Sequence, residues 1–429
     1  METQFEGKKL LILGANPETI PLVQIANRMG VKTIVTSNRK NDPAKAYAWK
    51  ACDVDGLDVE GLVNLAKNEA VDGVLVGVAD MLVAVYSKVC EKLGFPCYAS
   101  KDVVDIFSNK DIFKETCEKY GVKGIPQYKL DLPFEQSDLN KIKYPVMVKP
   151  VDGYSGLGMT VVYSENELKP AVEKALNISR NKRFIVERFM TCEDVAVYYT
   201  FKDGNCSISC VFDRYTTNNQ PGLSKVNMGS IYPSRHLDDY LRNMHPNAVK
   251  MFKEIGIKNG VLLMQAFYED GEFYVYDPGF RLQGEAPHLL MKVVNGFDQR
   301  ELLIKYALSG SEGDINLKKQ DDVCFRGKAA ATLWVLLKEG QIKSIEGMSD
   351  ISYDPRIIEN VQRLYEEDIV EPSWIGTEKQ VMTRLYFVCN NKKELHDTIL
   401  EYENKIKVFD ANGNNMIVEW LDPEKIIGE

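Results

Sequence analysis

The stretch Val146-Met-Val-Lys-Pro-Val-Asp-Gly-Tyr-Ser-Gly-Leu-Gly-Met-Thr-Val-Val162 carries the residue types best suited to chemistry. Two short apolar, β-branched runs flank a loop with glycines at 153, 156 and 158, and Lys149 closes the first run. Glycine lets backbone N–H groups turn toward an anion and approach it with no Cβ in the way. An ammonium group at the end of a buried strand adds a point charge that suits a polyphosphate. The pattern predicts a hairpin that covers phosphates.

Spacing excludes two other glycine-loop readings. Gly153 to Gly158 has the interval of a Walker A loop, but Met159-Thr160 stands where the phosphate-binding lysine belongs. That loop must also open a helix, whereas Met159 to Tyr163 reads as a strand. The order G-x-x-G-x-G also differs from the G-x-G-x-x-G of dinucleotide sites.

The elements that must position this loop follow from periodicity. In the first hundred residues, buried strands at Lys8–Leu13, Val31–Thr36 and Val74–Val78 alternate with helices, which predicts a parallel sheet covered on both faces. Gly14-Ala15-Asn16 lacks the full dinucleotide fingerprint, so no NAD site is expected there. Two helices follow, Asp102–Phe107 and Asp111–Tyr120, and then the hairpin. Ser164-Glu-Asn-Glu167 reads as a capping box opening a helix to about Ile178, and Arg183–Phe189 as a strand. A β-rich section spans Val195 to Val211, and an irregular polar stretch runs from Arg214 to Pro233. Asp270-Gly271 marks the turn of a hairpin from Val261 to Asp277. The charged segment Ser311–Asp322 suggests a boundary, with later strands expected near Ala330–Leu337, Arg384–Val388 and Met416–Trp420.

Composition narrows the class. The 429 residues are 45% hydrophobic and 27% charged, which suits a globular protein of two to four domains. With 53 basic and 62 acidic side chains the formal net charge is −9, which disfavours a general nucleic-acid binder. Nine cysteines at scattered spacings, with no C-x-x-C, read as reduced thiols rather than a metal or disulfide framework. A polar N-terminus and the lack of any apolar run near ~20 residues point to a cytoplasmic protein with no membrane partner.

Lys110, the hairpin with Lys149, the strand ending in Glu187 and Asp277-Pro-Gly-Phe-Arg281 occur in a telling order. Together they resemble the ATP-grasp superfamily, which includes the large subunit of carbamoyl-phosphate synthase, biotin carboxylase and many carboxylate–amine ligases. The resemblance implies an α/β and α+β fold in three parts. These are a Rossmann-like parallel sheet at 1–98, a two-subdomain ATP-grasp core at 99–311 with its lid at about 122–188, and a small mixed C-terminal domain at 312–429. It implies that Lys110 and Lys149 hold the α- and β-phosphates of ATP, while Ser155, Gly156 and Gly158 cover the β/γ region. Glu187, Arg188, Phe189 and Met190 would form the strand that reads adenine, and Glu193 would take the ribose, with Asp194 as its rival.

For the metal, Mg²⁺ or Mn²⁺, the matching positions are Gln265, Asp277 and Gly279, with Arg281 beside them. Only Asp277 offers a carboxylate, so the metal would rest on Asp277, with Gln265 a weaker neutral ligand, and on ATP phosphates and water. Arg281 and Lys149 would be the catalytic cations, neutralising charge on the γ-phosphoryl group. Glu285 and His288 could face the acceptor, bordered by Tyr215, Lys225, Arg235 and His236, whereas His236, His245 and His396 suit structural roles better. The implied function is an ATP-dependent ligase that activates a carboxylate as an acylphosphate and joins it to an amine or similar nucleophile. A homodimer is the default assembly. The competing reading is an ATP-binding protein with a degraded metal site and no turnover.

Overall fold

A computed structural model describes residues 4–151, 158–217 and 226–424. Of the glycine loop, Gly158 is described, while Ser155 and Gly156 lie outside the described residues, as does Lys225.

The apolar runs near the N-terminus form a four-stranded parallel sheet in the order Lys50–Cys52, Lys32–Thr36, Lys9–Leu13, Gly73–Val76. The two inner strands read KLLIL and KTIVT and are almost wholly buried, as expected for a sheet with helices on both faces. Short 3₁₀ turns at Pro17–Thr19 and Asp80–Leu82 leave the C-terminal ends of its strands and carry Glu18 and Asp80. Gly73 explains how this sheet joins the rest of the molecule. A Cβ there would lie 2.3 Å from the Ala307 carbonyl, so glycine lets the helix Gln299–Ser309 dock against the strand.

The segment expected to form the lid contains a separate four-stranded sheet ordered Gln127–Tyr128, Phe184–Arg188, Val146–Pro150, Thr160–Val162. The expected hairpin is present, with Val146 opposite Val162 and Val148 opposite Thr160. Helix Glu165–Ile178 covers it, and Val146, Val148, Val162, Leu168, Val172 and Val186 form a core of their own. Gly158 has φ +80, and a Cβ there would meet Ile178 at 2.9 Å and Pro150 at 3.2 Å.

The third layer is an eight-stranded antiparallel sheet ordered Glu272–Gly279, Gly260–Glu269, Glu193–Lys202, Asn205–Thr216, Asn227–Tyr232, Ala329–Leu336, Val381–Cys389, Ile357–Gln362. Its last three strands come from beyond residue 312, so the C-terminal segment continues the sheet of the preceding segment. Met416–Trp420 does not form the expected strand. Its backbone is split between two partners, with Met416 N–H donating to Val408 and Val418 N–H to Leu336, so no ladder propagates. All nine cysteines are free. Among the described residues no helix is long and apolar enough to cross a membrane.

Candidate nucleotide site

Lys149, at the end of the first hairpin strand, donates to the Glu187 carboxylate from the adjacent strand. Lys114 donates to the other oxygen of the same carboxylate at 3.0 Å. Lys114 lies one turn after Lys110 on the helix Lys110–Tyr120, whose first N–H groups are capped by the Asn109 side chain at 3.0 and 3.3 Å. Glu187 is 3% exposed. Burial pushes its carboxyl up, but the Lys149 and Lys114 charges outweigh burial and hold it below the ordinary range. Lys114 is itself pushed down by burial, against the attraction of Glu187.

One turn before Lys114 on the same helix, Lys110 approaches Asp277 at 4.0 Å, with both side chains about half exposed. Burial raises the Asp277 carboxyl and Lys110 opposes that rise. Counting Lys110, Lys114 and Lys149 against Glu187 and Asp277 leaves one net positive charge, which suits a polyphosphate.

Register places the remaining polar residues. Gln265 lies opposite both Asp277 and Ala196, Phe267 opposite Asp194, and Asp194 opposite Arg214. Directly opposed residues share a face, so Asp277, Gln265, Asp194 and Arg214 stand on one side of the sheet. Arg214 donates to Asp194 at 2.8 Å, to Tyr276 at 3.0 Å and to Glu285 at 2.7 Å. With its amide oxygen turned toward the guanidinium, Gln265 accepts from Arg214 at 3.2 and 3.3 Å. Asp194 is raised by burial despite its bond to Arg214.

The expected site residues thus fall into different groups. Lys110, Lys149, Glu187 and Asp277 converge. Gln265 is near Asp277 but is engaged by Arg214. Arg281 pairs with Asp80, on the turn after the last strand of the first sheet, and donates to the Leu282 carbonyl and Gln283, both at 2.9 Å. Arg188 makes a two-pronged pair with Glu269 at 2.7 Å. The Arg188 and Phe189 N–H groups are taken by the Pro126 and Pro145 carbonyls. Met190 is buried. Glu193 accepts from Arg235 and lies 2.7 Å from the His236 ring, which stacks on Tyr268. His288 is buried, and burial first, then Arg300, pushes it down to about 3, so it stays neutral near pH 7.

Sequence reasoning missed Lys114, Arg214 and Asp80. Only Lys114 had a local signal, its i+4 spacing from Lys110. For a divalent cation, Asp277 is the carboxylate that the described residues on this face offer outside the Arg214 network. Among the described residues no group of three or more His, Cys, Asp or Glu could hold a metal.

Residues 109–311, which contain the hairpin, the lysine cluster and Asp277, match the family described as carbamoyl-phosphate synthase L chain, ATP binding domain. The carbamoyl phosphate synthase large chain of Clostridium beijerinckii is 22% identical over 304 residues, 66% of this chain but 28% of that protein. Biotin carboxylase 1 of Bacillus subtilis is 26% identical over 351 residues, covering 75% of this chain and 74% of that one. A crystal structure of an L-amino acid ligase from Bacillus licheniformis shares the fold with a TM-score of 0.74 at 17% identity, covering 95% of this chain and 100% of that one.

Proposed function

We propose, on the premise that this chain belongs to the ATP-grasp superfamily, that it is an ATP-dependent ligase joining an activated carboxylate to an amine or similar nucleophile. The observation that carries this reading is the convergence of Lys149 and Lys114 on Glu187 in the sheet that contains the hairpin strands. On ATP binding, the phosphates compete with Glu187 for the lysines, so ammonium groups already gathered and desolvated turn to the nucleotide. Their work is positioning and charge neutralisation as the γ-phosphoryl group passes to the carboxylate. The hairpin would exclude water from the resulting acylphosphate. Relatives include a carboxylase and an amino-acid ligase by name; we favour amide formation, with ATP and small-molecule substrates, a cytoplasmic setting and a homodimer.

The donor set fits a Mg²⁺ or Mn²⁺ ion that arrives with the nucleotide, because such ions use one or two carboxylates plus phosphates and water. Asp277 would hold it, and the metal would neutralise phosphate charge. Arg281, expected as a catalytic cation, would have to leave Asp80 to serve. Gln265, in the grip of Arg214, supports the second reading, a nucleotide binder without turnover.

ADP release from Mg–ATP across paired carboxylates and amines tests the choice. ADP that appears only with a particular pair, and is lost in Asp277→Ala, supports the ligase. Tight ATP binding with no ADP from any pair overturns it in favour of the binder.

A further inference from the structure

The segment Gly279–Glu285 is flanked by arginines from three parts of the chain. Arg281 lies on it and pairs with Asp80. Arg384, on the strand Val381–Cys389, donates to the Gly284 carbonyl at 2.8 Å and to Glu378 at 2.7 Å while stacking on Trp334. Arg363, just past the strand Ile357–Gln362, pairs with Glu18. The Glu18 side chain lies against Gly284, 3.5 Å from where a Cβ would stand. The three guanidinium groups therefore gather at one short wall.

They share an unusual bonding pattern. Each meets its carboxylate through the Nη2 nitrogen alone, and each Nε–H is buried without an acceptor among the described residues. Arg214 also leaves its Nε–H without an acceptor among the described residues, but its two carboxylates occupy both terminal nitrogens, and two other arginines fill the guanidinium fork. Arg300 grips Asp298 through Nε and Nη2 at 2.9 and 2.8 Å, and Arg356 uses both nitrogens on Asp354. The Nε–Nη2 edge is the one that fits a carboxylate with two parallel bonds. A buried donor without an acceptor is costly, so three such edges on one wall need a reason. The carboxylates that half-fill them include exposed ones: Asp80 and Glu378 are each 61% exposed, so an incoming anion can displace them. Arg363 and Glu18 are 22% and 18% exposed and within reach of solvent.

We infer that this wall binds a dicarboxylate, with Arg281 meeting the carboxylate nearest the nucleotide site and Arg363 the second, while buried Arg384 fixes the Gly284 backbone between them. Arg363 then selects for the distal charge. The purpose of that binding rests on the ligase reading, but the binding itself needs no turnover. Titration calorimetry on the full chain with ATP present compares succinate and glutarate with butyrate and inorganic phosphate. The two dicarboxylates should bind and butyrate should not. Arg363→Gln should weaken the dicarboxylates by about tenfold or more. Glu18→Gln, which removes the competing internal anion, should tighten them. A merely structural pair predicts that both variants weaken binding or neither does, and that outcome overturns the inference. So does butyrate or phosphate binding as well as succinate, or no dicarboxylate binding at millimolar concentration. Succinate that binds but yields no ADP with any amine counts against the ligase reading and leaves the dicarboxylate wall standing.

Discussion

Around Glu187 two ammonium groups share one carboxylate, whereas around Arg214 two carboxylates share one guanidinium. Both clusters are largely buried and stand within one site, yet their stoichiometry gives them opposite capacities. The lysine cluster has a cation to spare, and a phosphate can take over from Glu187 without leaving a buried charge unmet. The arginine cluster has an anion to spare and no cation to offer. Arg214 is fixed by Asp194, Glu285, Tyr276 and Gln265 together. The first is therefore suited to ligand exchange and the second to holding strands in place.

Breaking each cluster should separate these roles. Arg214→Met leaves Asp194 and Glu285 buried without their cation, so stability in denaturant should fall by about 3–5 kcal/mol. Lys149→Met leaves Lys114 on Glu187, one charge for one, and should cost stability less, about 1.5–3 kcal/mol for the lost charged hydrogen bond. Its larger effect should be on function, a loss of about 10²–10³ in ADP release, as for removal of one preorganised donor. A variant pair with the reverse pattern, Lys149 controlling stability and Arg214 controlling turnover, would dismantle the comparison. Lys114→Met sharpens it. Lys114 sits farther up the helix and shares its load with Lys149, so ATP affinity should drop about three- to tenfold, read by calorimetry.

The same comparison explains what could be read from the sequence. Lys149, the glycine hairpin and the parallel sheet announce themselves through local spacing, and the fold follows from strand and helix periods. The Arg214 network does not, because its partners lie 20, 62 and 71 residues away and meet only through strand pairing and the segment that follows the last strand. Gln265 looked like a weakened metal ligand because its register partner Asp277 was legible and its hydrogen-bond partner Arg214 was not. Arg281 looks available in the sequence for the same reason: Asp80, 201 residues earlier, lies on the turn that follows a strand of the N-terminal sheet. Tertiary pairing of charges is the part that local patterns do not encode.

Acid titration gives the smallest effect, but one with opposite signs at the two sites. Glu187 has its carboxyl held down in the folded state, mainly by Lys149 and Lys114 against burial. Its stabilisation is therefore complete above the ordinary carboxylate range and is lost as pH falls through the lowered folded value. Asp194 is raised by burial, so its ionised form carries a cost that is absent in acid and grows as pH rises through the raised folded value. Unfolding measured in denaturant between about pH 3 and pH 7 resolves the two signs. The advantage of wild type over Glu187→Gln should grow with rising pH, while its advantage over Asp194→Asn should shrink across the same interval. Parallel slopes would mean that Arg214 overcomes the burial of Asp194, and the two clusters would then differ in geometry but not in electrostatic character.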